Sequence, residues 1–354
     1  RVTVETPIVD QEFLKEFISW SKNNFKSVVN GQVKEIKPVS DEAYLARSNA
    51  TPQMKEKWVA ARDEMVRLGY SLTDTIDKRV SWLWTTRKLF LKKENLPYQT
   101  PLGRKTKSAR AIQGLLHLYY LVVLGPWFMA LQDHLKTVWN VTNWVCFTSG
   151  VDAVDAAKVL NELWTIIEDD VGTFDSSVHE DLGKFEIWVA KIFGASPLIR
   201  QLMADNNKTH GVTMLGGKYW MPGGRKSGDP FTSLFNSLLN ILLHAFILHK
   251  HFGWSIKEIK ARTRMLVAGD DNLMTIDGPA IDFKPYMARL GFNSEAVVRA
   301  SLDEAEYCSC RLYYISAKWV FGPMPGKVLS KLGFINSPPE GVTRESMLRG
   351  IALG

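Results

Sequence analysis

Met265-Leu266-Val267-Ala268-Gly269-Asp270-Asp271-Asn272-Leu273-Met274-Thr275-Ile276 sets an acidic pair between two apolar runs. Apolar residues on both sides of a short Gly-Asp stretch read as strand, turn, strand. Two adjacent carboxylates at a hairpin tip repel each other at short range. That cost is tolerated where a divalent cation lies between them and neutralises the charge. Gly-Asp-Asp is also an ordinary hairpin turn, so the tripeptide decides nothing until the rest of the chain is read.

A second acidic stretch lies upstream. Leu163 to Glu168 is an apolar run into acids and reads as a buried strand. It continues as Glu168-Asp169-Asp170-Val171-Gly172-Thr173-Phe174-Asp175. Asp170 at a strand end can share a metal ion with Asp270 at a hairpin tip. Two catalytic magnesium ions about 3.5–4 Å apart need carboxylates delivered from separate strands. Asp175 would then face whatever binds beyond the metals. The bland reading is a helix start, because Asp stabilises helix N-termini. Asp175-Ser176-Ser177 fits that too.

The third stretch is Pro222-Gly223-Gly224-Arg225-Lys226-Ser227-Gly228-Asp229-Pro230-Phe231-Thr232-Ser233-Leu234-Phe235-Asn236. A glycine-rich loop enters a long apolar helix. Gly223, Gly224 and Gly228 permit backbone conformations that other residues resist, and allow close approach of a nucleotide or template. Thr232 and Asn236 are four apart and share one helix face. Buried polar groups need partners, which a nucleoside or the core itself can supply.

Charge adds a fourth element. The formal net charge of the 354-residue chain is +7. Residues 87–110 hold eight bases (Arg87, Lys88, Lys92, Lys93, Arg104, Lys105, Lys107, Arg110) and one acid, Glu94, so this segment carries the whole excess. A polyanion is expected to meet it there; a solvated charged loop is the commoner fate of such runs. Basic side chains on a loop over a metal pair would hold a triphosphate and neutralise the departing pyrophosphate.

Composition excludes several classes. Three cysteines (Cys146, Cys308, Cys310) make no disulfide framework and suggest a reducing compartment. His244, His249 and His251 have no nearby cysteine to complete a zinc pattern and read as helix-end and surface residues. The chain begins at Arg1 without methionine or signal peptide, as an excised piece of something longer would. The apolar stretch Leu115 to Leu131 contains His117, Gly125 and Pro126 and is short for a bilayer. A buried helix broken near Pro126 is expected instead, and no membrane span.

Periodicity predicts helices over 11–26, 53–68, 113–136, 179–205, 229–250 and 282–290, the last ended by Gly291. Hairpins are expected over 211–222, 262–276 and 307–321, and an extended, looping arm over 87–112. Little regular signal remains after about residue 333. Few strands among many helices argue for an α+β fold with a small antiparallel sheet packed on helices.

Taken in order, these stretches resemble a family. Asp170 and Asp175, then Ser227-Gly228, Thr232 and Asn236, then Gly269-Asp270-Asp271 look like motifs A, B and C of the RNA-dependent RNA polymerases of positive-strand RNA viruses. The basic arm resembles motif F. Residues 282–295 fall where motif D lies. Glu306-Tyr307-Cys308-Ser309-Cys310 resembles motif E, the primer-gripping hairpin. The flanks look most like tombusvirus- or nodavirus-type polymerases. The resemblance covers residues 87–321.

The resemblance implies a right-hand polymerase fold. Fingers would come from 1–160, including the arm 87–112, and from an insert at 180–222. The palm would hold 161–179 and 223–321, and 322–354 would begin a thumb. Only about thirty residues follow the motif E hairpin, so the thumb is expected to be truncated or vestigial. Asp170, Asp270 and Asp271 would hold two Mg2+ (or Mn2+) ions. Asp175, Ser227, Thr232, Asn236, Lys93, Lys107 and Arg110 would bind nucleotide. Lys92, Arg104, Lys105, Gly228, Cys308 and Ser309 would contact RNA. The implied partners are RNA template with primer or nascent strand, ribonucleoside triphosphates and other viral replication proteins. The implied place is the host cytoplasm, at membrane-associated complexes anchored by other segments or proteins. A reverse transcriptase is the nearest alternative enzyme, but it usually carries an aromatic residue before Asp-Asp and lacks the Ser-Gly-Thr-Asn series. A non-catalytic RNA-binding scaffold would not need both metal carboxylates and the basic arm. A zinc-binding nucleic-acid module fails for want of cysteine pairs.

Overall fold

The computed structural model describes residues 8–70, 78–91, 111–331 and 341–353. Its centre is a sheet whose strands run, edge to edge, Val297–Arg299, Thr165–Gly172, Asp271–Ile276, Thr263–Ala268 and Val145–Phe147. The short strand Asn293–Ser294 pairs with the far end of Thr165–Gly172. Side chains alternate across a strand, and this sheet uses the alternation fully. Ile167, Met265, Val267 and Met274 enter the main core on one face. Ile166, Leu266 and Leu273 enter a smaller core on the other, under Leu312 and Tyr307 of a separate three-stranded sheet.

The main-core face lies on the helix Thr232–Phe252. Leu234 through Leu248 are all buried, so this largely apolar helix is enclosed all round and sits inside the protein. It ends at Gly253, whose φ of 70° is the left-handed cap that favours glycine. Phe246 meets the rings of Phe13, Phe17 and Trp20 on the helix Gln11–Val28, at 5.2, 5.4 and 5.6 Å between centroids. By length and composition the helix could cross a membrane, but 83% of its most apolar window is buried inside the protein.

A second sheet orders Ala111–Leu115, Arg87–Leu91, Lys208–Val212 and Lys218–Pro222. The two ends of the basic arm are thus antiparallel partners, with Arg87 opposite Leu115 and Leu91 opposite Ala111. Residues 92–110 between them lie outside the described residues.

The architecture is mixed helix and sheet with mostly antiparallel ladders, as the α+β expectation has it. Several local expectations need correction. Val145–Phe147 pairs parallel to Thr263–Ala268, and Arg87–Leu91 parallel to Lys208–Val212. Both pairings join distant segments, which periodicity does not report. The acidic strand is Thr165–Gly172 rather than 163–168, because its ladder with Asp271–Ile276 continues through the acids. The segment 113–136 starts as strand and becomes helix only at Tyr119–Val138. That helix does not break at Pro126. A proline removes one helical donor, and residues Val122 to Phe128 are all buried, so packing holds both halves together. The segment 179–205 is two helices, Glu180–Ile192 and Pro197–Asn206, divided at Gly194 (φ 84°) with Ser196 capping the second. A helix, Arg344–Leu353, also follows residue 333. Its start is marked by Thr343, whose hydroxyl accepts from the Ser346 N–H at 3.2 Å, a cap signal that the sequence reading passed over.

Candidate active site

The ladder between Thr165–Gly172 and Asp271–Ile276 puts Asp170 directly opposite Asp271. Asp270 occupies the two-residue loop beside them. Gly269 takes the first loop position at φ 69°, which a side chain would resist. Its N–H donates to Ser237 Oγ on the buried helix at 2.7 Å, so the hairpin tip is bolted down from behind. The three candidate metal carboxylates therefore come from two strands and one turn at a single end of the sheet.

Their electrostatics fit that crowding. Burial pushes the Asp270 carboxyl above its ordinary value, and the charges of Asp175 and Asp170 add to the rise. Burial also raises Asp271, with Asp270 and Asp170 adding, while a hydrogen bond from Cys308 and the charge of Lys327 oppose it. Buried carboxylates raised further by their acidic neighbours mark a site short of positive charge. Among the described residues, no group of three or more His, Cys, Asp or Glu is drawn close enough to hold a metal ion by itself. Magnesium does not need a closed protein cage. It keeps several waters and takes further oxygens from phosphate. The hard oxygen donors at this sheet end fit such an ion.

Asp175 follows Thr173, which sits at φ 56° and turns the chain sharply off the strand. The turn brings three expected residues together. Asn236 Nδ2 donates to Asp175 Oδ1 at 2.8 Å, and Ser227 Oγ donates to Asp175 Oδ2 at 3.2 Å. Thr232 is not aimed at this group. Its hydroxyl donates to the Lys226 carbonyl at 2.9 Å and holds the glycine loop to the helix start. Gly228 lies at the exposed top of the loop with φ 96°. Gly223 (φ 66°) runs so close to the backbone of Val178 and Glu180 that a Cβ there would lie 2.8 Å from both.

The loop is held from inside by charge. Lys226 Nζ donates to the carbonyls of Asn206, Gly223 and Gly224 at 2.7, 2.9 and 2.8 Å. Burial pushes its pKa down to about 7, against the pull of Asp229. Three carbonyl acceptors match the three N–H groups of the charged form. Arg87 is a correction to the reading of the arm as one polyanion-facing unit. It is fully buried, pairs with Asp229 at 2.5 Å and donates to Asn206 at 2.6 Å. It anchors the arm's first strand to the glycine loop and cannot face solvent.

The turn Cys308-Ser309 closes a two-residue loop in which both residues have positive φ, 49° and 62°. This loop lies against the acidic end of the sheet, lining a cleft of about 100 Å3 with Asp170, Asp271 and Lys327. Burial, and next the charge of Asp271, push the Cys308 thiol up to about 12, so it stays protonated and donates to that carboxylate. Lys92, Lys93, Arg104, Lys105, Lys107 and Arg110 lie outside the described residues.

Sequence reasoning missed the residues behind the site. His244, expected at a helix end or surface, is fully buried in mid-helix. Its Nε2 is 3.0 Å from Asp169 Oδ2, and its Nδ1 is 2.8 Å from the Asn240 carbonyl. Ser294 Oγ donates to Asp169 Oδ1 at 2.8 Å. Asn240 Nδ2 donates to the carbonyls of Gly269 and Asp270 at 3.2 and 2.9 Å, and Asn272 Nδ2 donates to Asn240 Oδ1 at 2.8 Å. One buried polar chain thus joins the strand of Asp170 to the turn of Asp270. Its signal was present: Asn236, Asn240 and His244 recur every four residues on one face of an apolar helix.

Residues 147–311 match the family model of the viral RNA-dependent RNA polymerases. The chain is also 25% identical over 199 residues to the RNA-directed RNA polymerase of Groundnut rosette virus (strain MC1). That match covers 52% of this chain and 23% of the relative's length. Both comparisons support a viral RNA-dependent RNA polymerase. Residues 147–311 hold all three acidic site residues, the glycine loop and the Cys308 turn. Polymerases of this family use divalent metal ions.

Proposed function

We propose that this chain is the catalytic core of a template-directed RNA polymerase that copies a viral RNA genome. The observation that carries the reading is the Asp170–Asp271 register pair beside Asp270, with the Asp175–Ser227–Asn236 group next to it. It supports reading the carboxylates as metal ligands and the neighbouring group as the one that meets the sugar hydroxyls. The proposed right hand has fingers at 1–160 and 180–222, a palm at 161–179 and 223–321, and the start of a thumb at 322–354. RNA, ribonucleoside triphosphates and other viral replication proteins are the partners on this reading. Membrane-associated complexes in the host cytoplasm are its place.

Asp170, Asp270 and Asp271 would hold two Mg2+ or Mn2+ ions. When bound, these ions would activate a 3′-hydroxyl for attack on an α-phosphate and balance charge on the departing pyrophosphate. The chain's own residues do the rest. The ladder and the Asn240 bonds fix the carboxylates at one sheet end. Asp175, Ser227 and Asn236 meet the sugar. Lys93, Lys107 and Arg110 neutralise the triphosphate, and Lys92, Arg104, Lys105, Gly228, Cys308 and Ser309 contact RNA. Primer extension on a short RNA template tests the reading directly. Extension that requires both template and divalent metal supports it, and a pure protein that binds RNA without extending it is a scaffold instead.

Asn236→Ala should narrow the ratio of ribonucleotide to deoxyribonucleotide use, chiefly by harming the ribonucleotide. A site that hydrogen-bonds a hydroxyl rejects analogues lacking it, because its own groups are left unpaired. Losing one member costs about 1–3 kcal/mol of that preference, roughly five- to more than a hundredfold. Single-nucleotide incorporation of matched ribo and deoxy substrates measures the ratio; equal loss of both rates would make Asn236 a packing residue.

The arm from Lys88 to Arg110 should bind RNA and triphosphate through charge. RNA affinity is expected to fall steeply as salt rises, and Arg110→Ala mainly to weaken nucleotide use. A salt-independent affinity would contradict an electrostatic arm.

A further inference from the structure

The sugar-reading group has a buried support that no motif names. Arg225 is 6% exposed and lies between three elements. Its Nη1 and Nη2 both donate to the Glu186 carboxylate, from the helix Glu180–Ile192. Its Nε donates to Asn236 Oδ1 at 2.9 Å. Its guanidinium also lies 5.3 Å from the ring centre of Phe231, at the head of the buried helix. Its backbone N–H donates to the Asp175 carbonyl at 2.6 Å. Glu186 is itself 2% exposed, a carboxylate on a helix face otherwise made of Leu182, Phe185, Val189 and Ala190.

The donor inventory gives this arrangement direction. A guanidinium has only donors. Asn236 must therefore turn its amide oxygen toward Arg225 and its NH2 toward Asp175. With the amide reversed, an acceptor would face Asp175 Oδ1 and a donor would face the guanidinium. Arg225 in turn cannot swing away, because its other two nitrogens are locked in a bidentate pair with Glu186.

We propose that the Glu186–Arg225 pair is a positioning device for sugar selection, setting the amide orientation of Asn236 and through it the aim of Asp175. This rests on the reading of Asp175, Ser227 and Asn236 as the ribose-contacting group. Neither Glu186 nor Arg225 touches the sugar. Both act through Asn236, which gives the proposal a signature that a purely structural ion pair lacks.

Arg225→Lys is the informative substitution. It keeps the charge beside Glu186 and the backbone bond to Asp175. A single ammonium cannot reproduce the fork and the third bond to Asn236 together. The measurement is single-nucleotide incorporation of matched ribo and deoxy substrates on one RNA primer–template, for wild type, Asn236→Ala, Arg225→Lys and the double variant. Arg225→Lys is expected to narrow the ribo-to-deoxy ratio about five- to tenfold. The double variant should narrow it no further than Asn236→Ala alone, since both changes break one chain of bonds. If Arg225→Lys does not fold, judged by circular dichroism, Glu186→Gln replaces it, with a smaller narrowing expected.

Equal loss of both rates in the variant that folds, with the ratio kept, would overturn the proposal. So would a double variant whose effects multiply, because Arg225 would then act on the sugar without Asn236. An Asn236→Ala enzyme with an unchanged ratio removes the ribose reading itself. A changed ratio in Asn236→Ala alone removes only the role of Arg225.

Discussion

Asp270→Ala protein is expected to fold normally and to lose turnover by about a thousandfold or more. Each ~1.4 kcal/mol of lost transition-state stabilisation is a factor of ten, and a metal ion supplies several kcal/mol. The fold should not suffer, for an electrostatic reason. The folded-state pKa of Asp270 lies above its ordinary value, through burial and through Asp175 and Asp170. A carboxyl raised in this way helps the fold only where it is protonated. That help is lost as pH climbs through the ordinary carboxylate range and past the raised value, and an ionised Asp270 then opposes folding. Removing it should leave the metal-free protein at least as stable at neutral pH, with the wild type closing the gap as pH falls. Melting curves in chelator at acidic and neutral pH check the stability, and primer extension checks the turnover. Turnover within about tenfold of wild type would remove Asp270 from the metal site.

His244→Ala should produce the largest loss of stability among single changes near the site, about 3–5 kcal/mol. The imidazole and the Asp169 side chain are both fully enclosed, so the carboxylate loses its partner away from bulk water. An enclosed carboxylate left with the Ser294 hydroxyl alone is costly, whereas removing both members leaves only that hydroxyl without its acceptor. The pair His244→Leu with Asp169→Leu should therefore recover part of the loss. Urea unfolding of the single and double variants gives the coupling. A loss under about 1 kcal/mol for His244→Ala would show that the pair is not holding the strand and the helix together.

The two changes probe opposite sides of the same turn, and they mark what the sequence could and could not reveal. The buried helix was legible because its apolar residues cover most faces, and the acidic hairpin because Gly269-Asp270 interrupts two apolar runs. Asp170, Asp175, Ser227 and Asn236 were legible through their spacing, and the structure brings Asp175, Ser227 and Asn236 within hydrogen-bond reach of one another. Pairing partners were not legible. That Asp170 faces Asp271 across a ladder depends on register between segments about a hundred residues apart, which local periodicity does not encode. The same limit hid Glu186 from Arg225, Asp169 from His244 and Asp229 from Arg87. Each is a charged residue that looks like surface until its distant partner is known. The basic arm shows the reverse error. Its charge was read as one unit, yet Arg87 serves the interior.

The order in which the central sheet collects its strands has a consequence for synthesis on the ribosome. The helix Thr232–Phe252 is complete before either strand of the acidic hairpin exists, and the edge strand Val297–Arg299 comes later still. Its early partner, the helix Gln11–Val28, is available from the start, but the strand face it needs is not. A nascent chain that has emerged from the ribosome only as far as residues 253 to 276 therefore carries a largely apolar helix with one side uncovered. Such a species is sticky. Rapid passage through this interval, or a chaperone at the tunnel exit, would protect the chain until the hairpin closes over the helix.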